Sequence, residues 1–506
     1  MGNLEERSKV IVARIMLFTT STFVVFFLIT FLVYYLPVCR KIQVPILLIA
    51  SFIFYAWSSP LLLILLLLSI FVNGITSFQV ARAEKNRRLF WALLGVIINL
   101  VILSLFKYGA LLTHLVIDNF ASSAPEEGII ALFLHLPLPI GISFYTFEGI
   151  SLVIDVLRQK EQDSEKTSFV SSNLVNHLVN TSFFVAFFPH LIAGPILKAR
   201  HFYPQISSKY FKDIPWEIVF NSLVVGCFLK MVIADNLKEY TFWITYPYYQ
   251  SFSTVTDLVL LFGYSMQIFA DFAGYSLIAI GLGAALGYTL PDNFNFPYIS
   301  RSISEFWRRW HISLSTWLRD YLYFPLGGNR KGKLRTYINL TIVMTLGGLW
   351  HGAAWSYAVW GIFHGVGLAV ERLLGFNEKS LTETSMSRPI WQQFCLDLSR
   401  VILVFSFVSG GWLLFKLPRF EQAVDFIGCL INNVDLPPQV SMIITVLLFS
   451  LPVVIYHIPH FPTFQKHEVA TPSKLGRIWR EIAVGIMLAG ILLNSGNSDE
   501  FIYFQF

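Results

Sequence analysis

Met16–Leu36 and Leu61–Val80 are charge-free runs of 21 and 20 residues. Phe90–Phe106 supplies another 17. An apolar helix of about 20 residues reaches across the hydrocarbon core of a bilayer. Composition rules out the alternative of one large water-covered core. Of the 506 residues, 55% are hydrophobic and only 13% are charged, where a soluble domain carries about 25% charged residues. The fold expected is therefore all-α: a polytopic integral membrane protein with roughly a dozen transmembrane or re-entrant helices. Met16–Leu36 is too long for a signal-peptide core and no small-residue cleavage site follows it, so it is expected to remain as a helix.

Several apolar runs are interrupted. Trp57-Ser-Ser-Pro60 divides one pair into a hairpin, and Pro137 and Pro139 break the run that begins at Ile129. Pro189 and Pro195 bracket Phe188-Pro-His-Leu-Ile-Ala-Gly-Pro195, which reads as a re-entrant turn. Irregular backbone survives at membrane depth only where protein or a watery cavity covers it. The breaks thus point to a funnel or pocket inside the bundle. The net charge of +6 follows from basic cytoplasmic loops and implies no nucleic acid. Arg82, Lys85, Arg87 and Arg88 form one such loop, Arg158, Lys160 and Lys166 another, and Arg301–Arg335 holds eight Lys/Arg. Asn119–Gly128 and Tyr240–Asp257 hold none and face outward, as does the C-terminal tail after Asn494. The four cysteines (Cys39, Cys227, Cys395, Cys429) show no CxxC or Cys/His spacing, so neither a disulfide framework nor a metal site is expected.

Chemistry concentrates in two windows. In Ser304-Glu-Phe-Trp-Arg-Arg-Trp-His311-Ile-Ser-Leu-Ser315, helical spacing predicts Trp307, His311, Ser315, Leu318 and Leu322 on one face, with Glu305 and Arg309 as an i,i+4 ion pair. An interfacial helix, with tryptophans at headgroup level, explains the same pattern. The second window holds His351 in Gly-Gly-Leu-Trp-His-Gly and His364 in Trp-Gly-Ile-Phe-His-Gly. An imidazole in apolar surroundings stays neutral because desolvation disfavours its charged form, and a general base must be neutral. Each histidine alone is equally explained by a hydrogen bond between helices; their grouping favours a site. Asp271, inside an apolar run, needs a partner such as Arg308, Arg309 or Lys230. A proton-coupled transporter with Asp271 and His351 as relay fits the composition too.

At these residues the sequence resembles the membrane-bound O-acyltransferase superfamily. The likeness rests on Gln267-Ile-Phe-Ala-Asp-Phe-Ala-Gly-Tyr275, Asn293-Phe-Asn-Phe-Pro-Tyr298, Glu305-Phe-Trp-Arg-Arg-Trp-His-Ile-Ser-Leu-Ser315 and Gly348-Leu-Trp-His-Gly352. Pro139–Tyr145, Pro189–Gln205 and the terminal Phe501–Phe506 are similar to its alginate O-acetyltransferase branch, which includes peptidoglycan- and cellulose-acetylating relatives. The resemblance implies residues 16–500 as one transmembrane domain, 1–15 as an extension and 501–506 as an aromatic tail motif. It implies His351 as the catalytic histidine and His311 as a second functional histidine. The donor it implies is acetyl-CoA or another cytoplasmic acyl carrier, with no tightly bound cofactor, and the partner a periplasmic SGNH (esterase-like) acyltransferase. The location it implies is a bacterial cytoplasmic membrane.

Both readings converge on one expectation. A donor held by Arg308 and Arg309 meets an acceptor hydroxyl deprotonated by His351, and His311 polarises the thioester, steadies the oxyanion or gates the donor side. Tyr503, the one hydroxyl of the tail, is a candidate acyl relay; an aromatic anchor at the outer interface explains the tail equally simply. D-alanyl transfer to teichoic acid-type polymers and a transporter or flippase are the competing functions.

Overall fold

The computed structural model describes residues 16–58, 60–120, 139–161, 170–375, 389–463 and 474–496. The N-terminal extension 1–15, Pro137 and the tail 501–506 with Tyr503 lie outside them. Helices make up the fold, with no strand among the described residues. Among the described residues seven helices are long and apolar enough to cross a membrane: Pro37–Ser58, Pro60–Arg82, Lys85–Gly109, Trp216–Ile244, Thr254–Ala285, Ile390–Lys416 and Val440–His460. Two shorter apolar helices, Ser21–Tyr35 and Leu174–Ala186, join them. Their outer faces stay apolar: Leu61 is 77% exposed and Leu403 68%. Water would penalise such a surface and lipid does not. The chain is a multi-pass membrane protein.

The chain divides into two compact units, residues 1–221 with 278–291 and residues 222–277 with 292–506. In the first, polar side chains tie apolar helices together. Asn73 and Asn99 exchange amide hydrogen bonds at 3.2 and 2.7 Å, and Ser77 meets His177 at 2.8 Å. The predicted re-entrant turn is one helical turn, Phe188–Leu191, followed by irregular backbone that is buried from 187 to 198. Glu148 covers it: Oε1 accepts from Leu197 N at 3.2 Å and stands 3.0 Å from His190 Nδ1. A buried backbone donor left alone costs about 1–3 kcal/mol, so Glu148 stabilises a segment that no helix ladder can satisfy.

In the second unit a π-helical turn, Phe228–Ala234, places Lys230 between two carboxylates. Its Nζ lies 2.6 Å from Asp235 and 2.7 Å from Asp271, with all three residues buried. Of the partners expected for Asp271, the fold chooses Lys230. Opposite charges held in contact meet the cost of placing either one in an apolar interior. The end of the last described helix, Lys474–Leu493, docks beside this cluster, through Gly496 N to Met231 O at 2.9 Å and Asn236 Nδ2 to Asn494 O at 3.1 Å. All four cysteines are free.

Candidate functional site

The first half of the site is a short helix, Ile303–Arg309, whose N-terminus is capped by side chains. Ser302 Oγ accepts from Glu305 N at 3.0 Å. Glu371, from the neighbouring helix Trp355–Leu373, accepts from Ile303 N and, at 3.1 Å, from Ser304 N. Three of the four amides that a helix start leaves open are thereby satisfied. The predicted Glu305–Arg309 pair forms, at 2.8 Å.

Sequence spacing predicted one helix continuing through His311 to Leu322. The structure breaks it. Trp310 is extended, His311 adopts φ 45° and ψ 54°, and a new helix runs Ile312–Leu318. Trp307, His311 and Ser315 therefore do not share a helical face. Left-handed backbone costs a non-glycine residue about 1–2 kcal/mol. Asn293 offsets that cost: its carbonyl accepts from Ile312 N at 3.0 Å, and its Oδ1 accepts from Ser313 N at 3.3 Å and Ser313 Oγ at 2.6 Å.

The second half is a helical hairpin, Lys333–His351 and Trp355–Leu373. Its glycines serve backbone contact. A Cβ on Gly348 would sit 2.2 Å from Tyr357 O, and one on Gly361 2.4 Å from Met344 O. No larger residue lets these helices approach so closely. The crossing brings His351, at the end of the first helix, against Trp360 of the second, with ring centroids 5.3 Å apart and perpendicular. His351 and His311 are 6.2 Å apart by centroid. His364 is fully buried and accepts from Trp307 Nε1 at 3.4 Å.

A cavity of about 640 Å³ opens beside these residues, within the range typical of ligand pockets. Trp307, Trp360, Leu340 and Met344 line it, and His351 contributes its imidazole there while remaining 5% exposed. Arg308, Arg319 and Arg372 line it too, and all three are exposed. Exposed arginines and a buried histidine thus line the same cavity. Arginine presents a planar fork of donors that matches phosphate or carboxylate.

The sequence-predicted residues fall into different places. His351 and Arg308 line the cavity; His311, His364 and Arg309 do not. Arg309 spends its donors on Glu305 and on Asn295 O at 3.0 Å. His311 lies outside the seven spans, and burial against Phe272 and Trp350 pushes its pKa down to about 3. It is therefore neutral across the physiological range. Sequence reasoning missed Arg319 and Arg372. The second had a signal: Trp360, His364, Leu368 and Arg372 recur every four residues, and three of them reach the cavity. Among the described residues no group of three His, Cys, Asp or Glu could hold a metal ion.

A sequence model of the MBOAT, membrane-bound O-acyltransferase family matches residues 130–399, which include both histidines and the whole cavity. The probable alginate O-acetylase AlgI of Pseudomonas syringae pv. tomato is 38% identical over 429 residues, 83% of this chain and 76% of that protein. The peptidoglycan O-acetyltransferase of Helicobacter pylori is 34% identical over 442 residues, covering 81% and 79%. The teichoic acid D-alanyltransferase of Bacillus subtilis is 28% identical over 293 residues, 56% of this chain and 70% of its own length.

Proposed function

The chain belongs to the membrane-bound O-acyltransferase family, and on that premise we propose that it carries acetyl groups from a cytoplasmic thioester to an envelope polysaccharide, with His351 as general base. It is a membrane O-acyltransferase, and an acyl donor is implied by that chemistry. The single observation that carries the finer reading is the cavity, which both exposed arginines and the buried His351 line. Acetyl-CoA or another phosphate-bearing acyl carrier fits such a cavity, and no bound cofactor is required. Two of the relatives are named for O-acetylation and match most of this chain; the D-alanyl-transferring relative matches less of it. The location that suits them is a bacterial cytoplasmic membrane.

The reaction balances with one base. The acceptor hydroxyl attacks the thioester carbonyl as His351 takes its proton, which needs hydrogen-bond reach of about 2.6–3.2 Å. The C–O bond forms, the C–S bond breaks, and the proton held by His351 passes to the leaving thiolate. No protein nucleophile of the Ser-His-Asp or Cys type is involved.

The first acceptor in this proposal is Tyr503, in the terminal Phe-Ile-Tyr-Phe-Gln-Phe. An acyl-tyrosine ester splits a difficult transfer into two easier ones. A periplasmic SGNH (esterase-like) transferase then moves the acyl group to the polysaccharide and restores the phenol. In support, the chain segment leading to the tail is fixed at Gly496 and Asn494, seven residues before Tyr503. An extended chain of that length spans at most about 25 Å.

The test is polymer acylation in cells or vesicles. His351→Ala is expected to insert and accumulate but to abolish acylation. Tyr503→Phe is expected to abolish it as well, although the ring remains. Near-normal acylation by the first variant removes His351 from the chemistry; near-normal acylation by the second reduces the tail to an aromatic anchor.

A further inference from the structure

We infer that Asn293 is a positioning residue that locks His311 as its Nδ1–H tautomer, so that Nε2 is a proton acceptor and never a donor to an oxyanion. The inference deepens the proposed reaction by assigning a role to the second histidine.

The hydrogen bonds around Asn293 leave little freedom. Its side-chain Oδ1 stands 3.3 Å from Ser313 N, 2.6 Å from Ser313 Oγ and 3.4 Å from His311 Nδ1. A backbone N–H can only donate, so the atom facing it is the carbonyl oxygen and not the amide nitrogen. The other end of the amide agrees, because Nδ2 donates to Ser276 Oγ at 3.0 Å. A carbonyl oxygen only accepts. His311 Nδ1 must therefore carry hydrogen to meet it, and in a neutral imidazole this leaves Nε2 with its lone pair. Setting one ring nitrogen through the partner of the other is a common way for proteins to fix histidine function.

The same asparagine holds His311 in place. Its main-chain carbonyl takes Ile312 N and its side chain takes Ser313, so the residues on the C-terminal side of the left-handed His311 are clamped from one position. Phe272 packs edge-on against the imidazole at 4.5 Å, and Trp350 lies at 6.0 Å. His351, a second titratable ring, lies 6.2 Å away by centroid. On the helix that supplies Phe272, the adjacent Asp271 is committed to Lys230. Of the three roles the sequence left open for His311, this arrangement removes the two that need a donor, polarising the thioester carbonyl and steadying the oxyanion. What remains is acceptance: the Nε2 lone pair takes a hydrogen bond from an acceptor hydroxyl that extends beyond the cavity, which His311 itself does not line.

The experiment uses the full-length protein in lipid vesicles, with histidine labelled by ¹⁵N and the His311 signals assigned by difference against His311→Ala. The wild type is expected to show a protonated Nδ1 and an unprotonated Nε2 at neutral pH. A protonated Nε2 overturns the inference, whatever the activity. Three variants then separate positioning from folding. Asn293→Leu loses the acceptor and is expected to lower kcat at least tenfold and to scramble the tautomer signal. Asn293→Asp keeps the acceptor and is expected to recover most of kcat at high pH. A carboxylate beside the imidazole favours its charged form, so this variant is also expected to lose activity as pH falls, over a range where the wild type does not. Ser276→Ala removes only the partner of Nδ2 and is expected to keep both tautomer and kcat. Asn293→Asp matching wild type at every pH, or Asn293→Leu keeping kcat, contradicts the assignment. If the tautomer is as stated but His311→Ala acylates normally, the reaction assigned to this site fails while the structural inference stands.

Discussion

Both units of this protein bury histidines, but in different surroundings. In the first, His177 is tied to Ser77, and His190 stands against Glu148 beneath a re-entrant turn. In the second, His351 lines a cavity of about 640 Å³ that three exposed arginines line too. Burial is thus common to His177, His190 and His351 and does not tell them apart. What distinguishes His351 is a cavity beside it that exposed arginines also line. The comparison also separates Arg308 from Arg309: neighbours in sequence, one reaches the cavity and the other is locked to Glu305.

The largest effect expected from this contrast, apart from loss of His351 itself, is at His311. General acid–base groups contribute about 10²–10⁴-fold, so His311→Ala should lower acylation by at least about 10²-fold with unchanged thermal stability in detergent. Full activity in that variant would return His311 to the structural class. His190→Ala is expected to do the reverse. It leaves Glu148 buried without its partner, which costs about 1–3 kcal/mol, so its melting temperature should fall while acylation per folded molecule stays near wild type. A catalytic loss larger than the stability loss would erase the distinction between the two units. The smallest effect concerns the arginines. Arg308→Lys keeps the charge and loses the planar fork, for a donor KM raised roughly 5-fold, equivalent to about 1 kcal/mol. Arg309→Lys should leave donor KM unchanged and act on stability through Glu305. Identical shifts in donor titrations of the two variants would mean that the cavity does not read the donor.

The membrane spans were legible because a charge-free run of 20 residues has few other outcomes, and Leu61–Val80 became Pro60–Arg82 almost residue for residue. Glu305–Arg309 was legible because i,i+4 pairing is local. The break at His311 was not. Trp310-His-Ile keeps helical periodicity, and the cause of the break, Asn293, lies 18 residues away and acts through hydrogen bonds. Asp271 illustrates the middle case. The cost of a lone charge predicted a cation, but choosing Lys230 needed the π-helical turn that carries it. Only the helix crossing reveals that Gly348 and Gly361 stand where backbone meets backbone.

The central claim is that one cavity holds the donor and that His351 performs the transfer from it. The most direct measurement follows a radiolabelled acyl thioester in vesicles containing wild type or His351→Ala, scoring bound donor and transferred label in the same samples. The expected result is donor binding within about 3-fold of wild type, since the arginines are intact, with no label passed to any acceptor. Label transferred at a near-wild-type rate by His351→Ala, or donor binding lost together with transfer, contradicts the claim.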